Sequence, residues 1–384
     1  MRLAPILGLT GLLWLTGCSG IPEPEYPPAP LPDDKGTVEI DQTWSDSGGF
    51  GQKWRGYQLA PALQGHHLYS VDLEGYVQAF DLKEDKALWW KTLDAGASAS
   101  PAADSRLVLI PTQNGELVAL DAQTGNERWR HQLSSEALSP PIIRDDQIIQ
   151  YTSDGHVQAL SRIDGRVRWQ YDHNEPLLTL RGTSTPVVTA TMTYVGFADG
   201  QLVALDNRTG QVRWRATIAV PQGRTDIERL VDIDGQPAMQ GSALVATSFQ
   251  GNVMALDPYS GRSRWEKKLS SYRSPVIVGR EVIVIDEASR IRALSLSGGN
   301  TLWQQEGLFG RNLTSPALVN GYIVVADEEG YIHAIDPKTG EIVGQTAFDY
   351  DGVKAPPVTD GKSVIFNSVR GDLGLFELHP IRDN

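Results

Sequence analysis

The sequence predicts an all-β fold, an eight-bladed β-propeller with four-stranded antiparallel blades closed by an N-terminal strand. Three observations predict it. One residue pattern recurs eight times along the 384 residues, no segment carries a long apolar period of 3.6, and a strand-like stretch with a tryptophan of its own precedes the first copy.

The repeat is plainest in Gly115-Glu116-Leu117-Val118-Ala119-Leu120-Asp121-Ala122-Gln123-Thr124-Gly125-Asn126-Glu127-Arg128-Trp129. It returns at Gly155 to Trp169, Gly200 to Trp214 and Gly251 to Trp265, and more loosely at Gly75 to Trp89 and Ser289 to Trp303. Gly330 to Gly344 repeats it without the tryptophan, and Gly371 opens an eighth, shortened copy. The alanine position gives the register, as Ala79, Ala119, Ala159, Ala204, Ala255, Ala293 and Ala334, with Leu375 in the last copy. Successive steps of 40, 40, 45, 51, 38, 41 and 41 residues suit four-stranded propeller blades.

Each part of the pattern has a physical task. The apolar run around the alanine suits a strand buried on both faces, the alanine being small so that a neighbouring blade can lie over it. Thr-Gly supplies a turn in which Gly takes a positive φ, and the preceding Asp can accept hydrogen bonds from the turn backbone. The tryptophan is expected to pack between blades, where burial contributes about 2 to 3 kcal/mol. A Ser-Pro or Thr-Pro step (Ser100-Pro101, Ser139-Pro140, Thr185-Pro186, Ser274-Pro275, Ser315-Pro316) precedes a short strand along the central channel. The eighth copy would need its tryptophan just beyond Asn384, whereas Val38 to Trp44 offers one at the other end of the chain. That segment is expected to complete the last blade and leave no open sheet edge.

The N-terminus is read separately. Arg2 precedes an apolar stretch, Leu3 to Leu15, too short for a comfortable membrane span. It ends in Leu15-Thr16-Gly17-Cys18, which resembles the bacterial lipobox, and Cys18 is the single cysteine. The organisation expected is a lipoprotein signal peptide at 1–17, a lipidated Cys18 with a proline-rich tether at 18–36, and the propeller at 37–384. Several acyl chains would hold the protein to a membrane at about 0.8 kcal/mol per buried methylene. By analogy with enteric bacteria, Ser19 in place of Asp points to the outer membrane, inner leaflet, facing the periplasm.

Charge and motifs exclude other chemistry. A formal charge of −13 argues against a nucleic-acid surface. Cys-x-x-Cys, His-Glu-x-x-His and Gly-x-Ser-x-Gly are absent from the sequence. His66 and His67 are adjacent and would point to opposite faces of a strand, a poor chelate. The Asp232-Ile233-Asp234 run lacks the further oxygen ligands of a calcium loop. No catalytic residue, metal or cofactor is therefore assigned, and Trp54 and Trp90 are left without a role, with packing favoured over sugar stacking.

Loop lengths point to a binding face. Most outer-to-inner junctions take 10 to 13 residues, but Trp169 to Pro186 takes 17 and Trp214 to Pro237 takes 23. In antiparallel blades such junctions share one face, and these two are consecutive. The first carries Leu177, Leu178, Leu180 and Arg181; the second carries Ile227, Leu230, Val231 and Ile233 among Asp226, Glu228, Asp232 and Asp234. Apolar clusters edged by charge suit a protein-binding patch on a rigid scaffold.

Lipobox, tether, eight repeats and N-terminal closure together resemble the BamB family, propeller lipoproteins of the β-barrel assembly (BAM) machinery in Gram-negative bacteria. The blade repeat itself is also similar to that of quinone-dependent dehydrogenases, so it specifies fold rather than function. Those enzymes usually bring adjacent cysteines and calcium ligands, which this sequence lacks. The resemblance implies a non-catalytic scaffold that binds the periplasmic POTRA domains of BamA and assists assembly of outer-membrane proteins, with nascent chains as further candidate partners. It places Leu178, Leu180 and Arg181, matching a Leu-x-Leu-Arg segment, and Asp232 and Asp234, matching an Asp-x-Asp segment, against BamA. The competing readings are a dehydrogenase-like propeller and a generic scaffold of another envelope machine.

Overall fold

The computed structural model describes residues 25–52, 56–180 and 182–381. The leader, Cys18, Trp54 and Arg181 lie outside them. Eight antiparallel sheets of four strands follow the eight repeat copies. Blade one comprises Ala62–Gln64, His67–Val71, Tyr76–Asp81 and Lys86–Thr92. Seven blades are contiguous in sequence, and the eighth joins Val38–Ser47 to Asp372–Pro380 at its outer edge, as expected. The first and last strands of the described chain are thereby held in one sheet.

The third strand of each blade forms the middle of the core. Leu117 to Leu120 are wholly buried, and so is each of the seven register alanines. A one-residue bulge in the fourth strand sets the tryptophan opposite the alanine, pairing Ala119 with Trp129, Ala159 with Trp169 and Ala204 with Trp214. The indole then reaches the next blade's turn. Trp169 donates its Nε1–H to the Asn207 carbonyl at 2.7 Å, and Trp214 donates to Pro258 at 2.9 Å. Beneath the ring lies the turn glycine: a Cβ on Gly210 (φ +70°) would stand 2.6 Å from the Trp169 ring. The Thr-Gly glycine thus serves both the left-handed backbone and the close approach of the neighbouring blade.

Nearer the axis, serines of the Ser-Pro steps link adjacent blades. Ser100 accepts the Ala60 amide at 2.9 Å, Ser274 accepts that of Gln236 at 2.9 Å, and Ser315 accepts that of Ser274 at 3.1 Å. Asp121 and Asp206 accept amides of their own turns through one carboxylate oxygen, while the other holds Arg128 and Arg213.

Blade seven shows why one tryptophan is missing. A Cβ at Gly344 would come 2.2 Å from the Val38 carbonyl. The chain entering the closing strand runs over that position, with the amides of Lys35 and Thr37 donating to Ile342 and Val343 at 3.0 Å each. The proline-rich stretch is extended, but its described part is fastened to the disk rather than free. The Ala29 amide donates to Phe309 at 2.8 Å, Arg311 donates to the Ala29 carbonyl at 3.1 Å, and Gln345 donates to Pro32 at 2.6 Å. Prolines lack an N–H but keep their carbonyls, so side-chain donors from blades six and seven can still capture the strap.

Candidate partner-binding face

The two long junctions, 173–186 and 218–237, leave blades three and four through outer-to-inner connections and meet each other. The Leu180 amide donates to the Asp232 carboxylate at 2.5 Å, and the Ser184 hydroxyl donates to the Gly235 carbonyl at 3.1 Å. Between these links, the Gly182 position lies against the Asp234 side chain, 3.0 Å from an ideal Cβ.

The second junction folds back onto its own blade. Leu230, Val231 and Ile233 are buried, whereas Val220, at 62% exposed, and Ile227, in the short 3-10 turn Ile227–Arg229 at 68%, stand out. Ile233 fits over Gly196, where a Cβ would fall 2.3 Å from its Cγ2, and Val231 covers Gly200. The Ile233 amide donates to Phe197 at 3.3 Å, and the Phe249 amide donates to Asp232 at 2.9 Å. This packing makes a platform for the first junction, whose Leu177 is fully exposed and whose Leu178 is 45% exposed.

The expected site residues therefore divide. Leu178 presents an apolar surface, Leu180 is half-buried at the clasp, and Asp234 is half-buried beside it. Asp232, expected to face a partner, is 1% exposed, and its carboxylate holds the Leu180 backbone. Arg181 lies outside the described residues, although its flanking neighbours are placed by the clasp. Glu175, absent from the sequence-based set, is a third acid here. It accepts the Tyr151 hydroxyl through one oxygen and the Ala198 amide, at 3.1 Å, through the other.

Three carboxylates gathered under an apolar ridge perturb one another. Burial first, with the Glu175 charge adding to it, pushes Asp232 up to about 6 despite the Leu180 hydrogen bond. Burial, then the charges of Asp232 and Glu175, push Asp234 up to about 7. Burial also raises Glu175. Close by, His173 stacks on Phe197 with ring centroids 3.9 Å apart and meets the Asp199 carboxylate at 3.0 Å. The arrangement is a stiff, acid-lined base carrying exposed leucines. It suits docking. The one signal for Glu175 available in the sequence is its place in an oversized junction.

Disk, closing strand and paired junctions define a class, the closed eight-bladed β-propeller with four-stranded blades. The family profile described as "Outer membrane protein assembly factor BamB" matches residues 73–305 and 287–377. The chain is 46% identical over 350 residues to the outer membrane protein assembly factor BamB of Pseudomonas aeruginosa, covering 91% of this chain and 92% of that one. The crystal structure of BamB from Moraxella catarrhalis superposes with a TM-score of 0.81 at 26% identity, covering 88% of this chain and all of that one. A quinohemoprotein alcohol dehydrogenase from Comamonas testosteroni, with a TM-score of 0.70 at 13% identity over 88% of this chain and 76% of that one, shares the fold alone. The chain belongs to the BamB family of outer membrane protein assembly factors, which are non-catalytic.

Proposed function

We propose that the protein is anchored through a lipidated Cys18 to the inner leaflet of the outer membrane and docks its paired junctions on the POTRA domains of BamA. In that position it assists the assembly and insertion of β-barrel proteins within the BAM complex. The observation that carries the docking face is the clasp between Leu180 and Asp232, which ties two oversized junctions together and leaves Leu177 and Leu178 in solvent. Exposed apolar residues held on a rigid base lose little conformational freedom on binding, which makes them good anchors. Arg181 supplies a planar donor fork for a carboxylate on the partner.

Replacing Leu178, Leu180 and Arg181 together with Ala should abolish co-purification with BamA from detergent-solubilised envelopes, while the circular dichroism spectrum stays that of a folded propeller. Undiminished co-purification of a folded triple variant rejects the docking face. The anchor is tested separately: Cys18→Ala should release the protein from the membrane fraction and stop incorporation of labelled fatty acid.

A further inference from the structure

The turns of blade one break the repeat at one point, and the break gathers metal ligands. In blades two, four and five the turn aspartate caps its own turn with one oxygen and binds an arginine seven residues on with the other: Asp121 with Arg128, Asp206 with Arg213, Asp257 with Arg264. In blade one the cap is kept, with Asp81 Oδ1 accepting the Lys83 and Glu84 amides at 3.0 Å each. The residue seven positions on is Leu88, so Oδ2 has no arginine from that position. Oδ2 instead faces two imidazoles, His66 Nε2 at 3.7 Å and His67 Nε2 at 3.8 Å.

Sequence alternation placed these rings on opposite faces, and the structure corrects this. His66 belongs to the turn and only His67 to the strand His67–Val71, so the alternation does not apply, and the ring centroids lie 4.3 Å apart. Distances of 3.7 and 3.8 Å exceed those of a hydrogen bond. An ion cluster of two protonated imidazoles would bring like charges together, and half-exposed ion pairs contribute little. A cation between the three groups accounts for the geometry better. The ligand atoms all lie within 4.8 Å of one another. Tetrahedral zinc with bonds of about 2.0 to 2.2 Å needs its ligand atoms about 3.3 to 3.6 Å apart, so small side-chain rotations close the site.

We propose that His66 Nε2, His67 Nε2 and Asp81 Oδ2 form a surface site for a first-row divalent transition ion of the zinc class, with water completing the coordination. Two imidazoles and a carboxylate favour such ions over magnesium or calcium. Bound there, the ion cross-links the two turns at the foot of blade one. Those turns belong to the blade on which the closing strand docks, since Phe80 precedes Asp81 and packs against Trp44. They connect the first strand to the second and the third to the fourth, so they open on the face opposite the paired junctions.

The test uses the untagged full-length chain in detergent, titrated calorimetrically with Zn²⁺ and, in parallel, with Co²⁺ followed by visible absorption. One saturable equivalent is expected. Loss of even an outer partner of a metal site weakens binding about 10- to 100-fold. His66→Gln, His67→Gln and Asp81→Asn should therefore each weaken it at least tenfold. Asp81→Asn keeps the oxygen that caps the turn, and metal-free unfolding midpoints verify that all three variants fold. His156→Gln alters another histidine with carboxylates beside it (Asp154 at 3.0 Å and Asp172 at 3.4 Å) and should leave binding unchanged. Absence of a saturable equivalent, survival of binding in the three folded variants, or equal loss in His156→Gln overturns the assignment.

Discussion

Trp44 meets Phe80 edge to face, with ring centroids 5.4 Å apart, so a side chain from the closing strand rests on blade one. Trp44 also stands opposite Leu375, the place that a blade's own tryptophan takes opposite its alanine, and the strand bulges between Gln42 and Trp44 as the other outer strands do. This inter-blade contact is thus made by a side chain whose strand pairs with Asp372–Pro380, at the far end of the sequence. Removing this half-buried ring weakens the joint between the closing strand and blade one. Trp44→Ala should lower stability by about 2 to 3 kcal/mol, somewhat under the cost for a fully buried tryptophan. A urea titration should show a lower midpoint, whereas Trp90→Ala, at a position 68% exposed, should move it little.

The same joint predicts an asymmetry among glycines. Gly210 has φ +70° and would press a Cβ against the Trp169 ring, while Gly241, at φ +56°, has open space around it. Gly241→Ala meets only the backbone cost of a left-handed residue, about 1 kcal/mol. Gly210→Ala adds overpacking to that cost and should exceed it by about 1 to 3 kcal/mol. Its tryptophan fluorescence should also shift as the indole is displaced. Equal effects of the two substitutions would show that turn conformation, rather than blade contact, requires glycine.

The architecture was readable because each blade is specified locally. Ala119, the Thr124-Gly125 turn and Trp129 lie within eleven residues and fix strand, turn and inter-blade joint at once. Trp44 was readable as their missing eighth member for the same reason. Loop detail was less so, because it depends on what each side chain finds across a gap. Val231 and Ile233 resemble Leu177 and Leu178 in sequence, yet the first two fill hollows above Gly200 and Gly196 while the other two stand exposed. Asp232 could be read as a surface acid until the Leu180 amide was seen beside it. His66 was misplaced by one residue of strand boundary, enough to reverse which way its ring points.

The acids under the paired junctions predict a pH response. Asp232 and Asp234 are raised, to about 6 and about 7, above the ordinary carboxylate value of 3.8. The folded junctions therefore bind protons more tightly than the unfolded chain does. Their contribution is fully present at pH values below the ordinary range and is lost as pH rises through about 6 to 7. The clasp should be firmer at pH 5 than at pH 8. Hydrogen-exchange protection of residues 178–184, corrected for intrinsic rates, should fall over that interval. Asp234→Asn removes the highest-lying titration and should flatten the upper part of the curve. Protection that increases with pH would contradict the assignment.

A buried charge cluster in blade seven joins the disk to the strap. Asp327 is wholly buried, and its Oδ2 accepts both Arg311 Nε at 2.7 Å and His333 Nε2 at 2.9 Å. Its other oxygen accepts the Glu329 and Tyr331 amides. Burial alone would raise this carboxyl, but the His333 and Arg311 partners outweigh it and hold Asp327 below the usual carboxylate range. Arg311 also reaches the Ala29 carbonyl, so buried Asp327, together with Glu329 at 2.7 Å, orients the guanidinium that holds the proline-rich strap. Asp327→Ala takes away the buried partner of Arg311 and leaves it only the half-exposed Glu329, 2.7 Å from Nη2, so the cost should lie toward the lower end of the about 3 to 5 kcal/mol for breaking a buried pair. Asp327→Asn keeps the shape and the amide-accepting oxygen, so it should cost less. Because a carboxylate with a lowered folded pKa stabilises above its unfolded value, the wild-type contribution should disappear as pH falls through the acid range, and that acid-side loss should be absent in Asp327→Asn. Limited proteolysis gives a second readout: both variants should be cut sooner within residues 25–36 than the parent chain. A strap that stays protected in folded Asp327→Ala would mean that the backbone bonds of Lys35 and Thr37 hold it without Arg311.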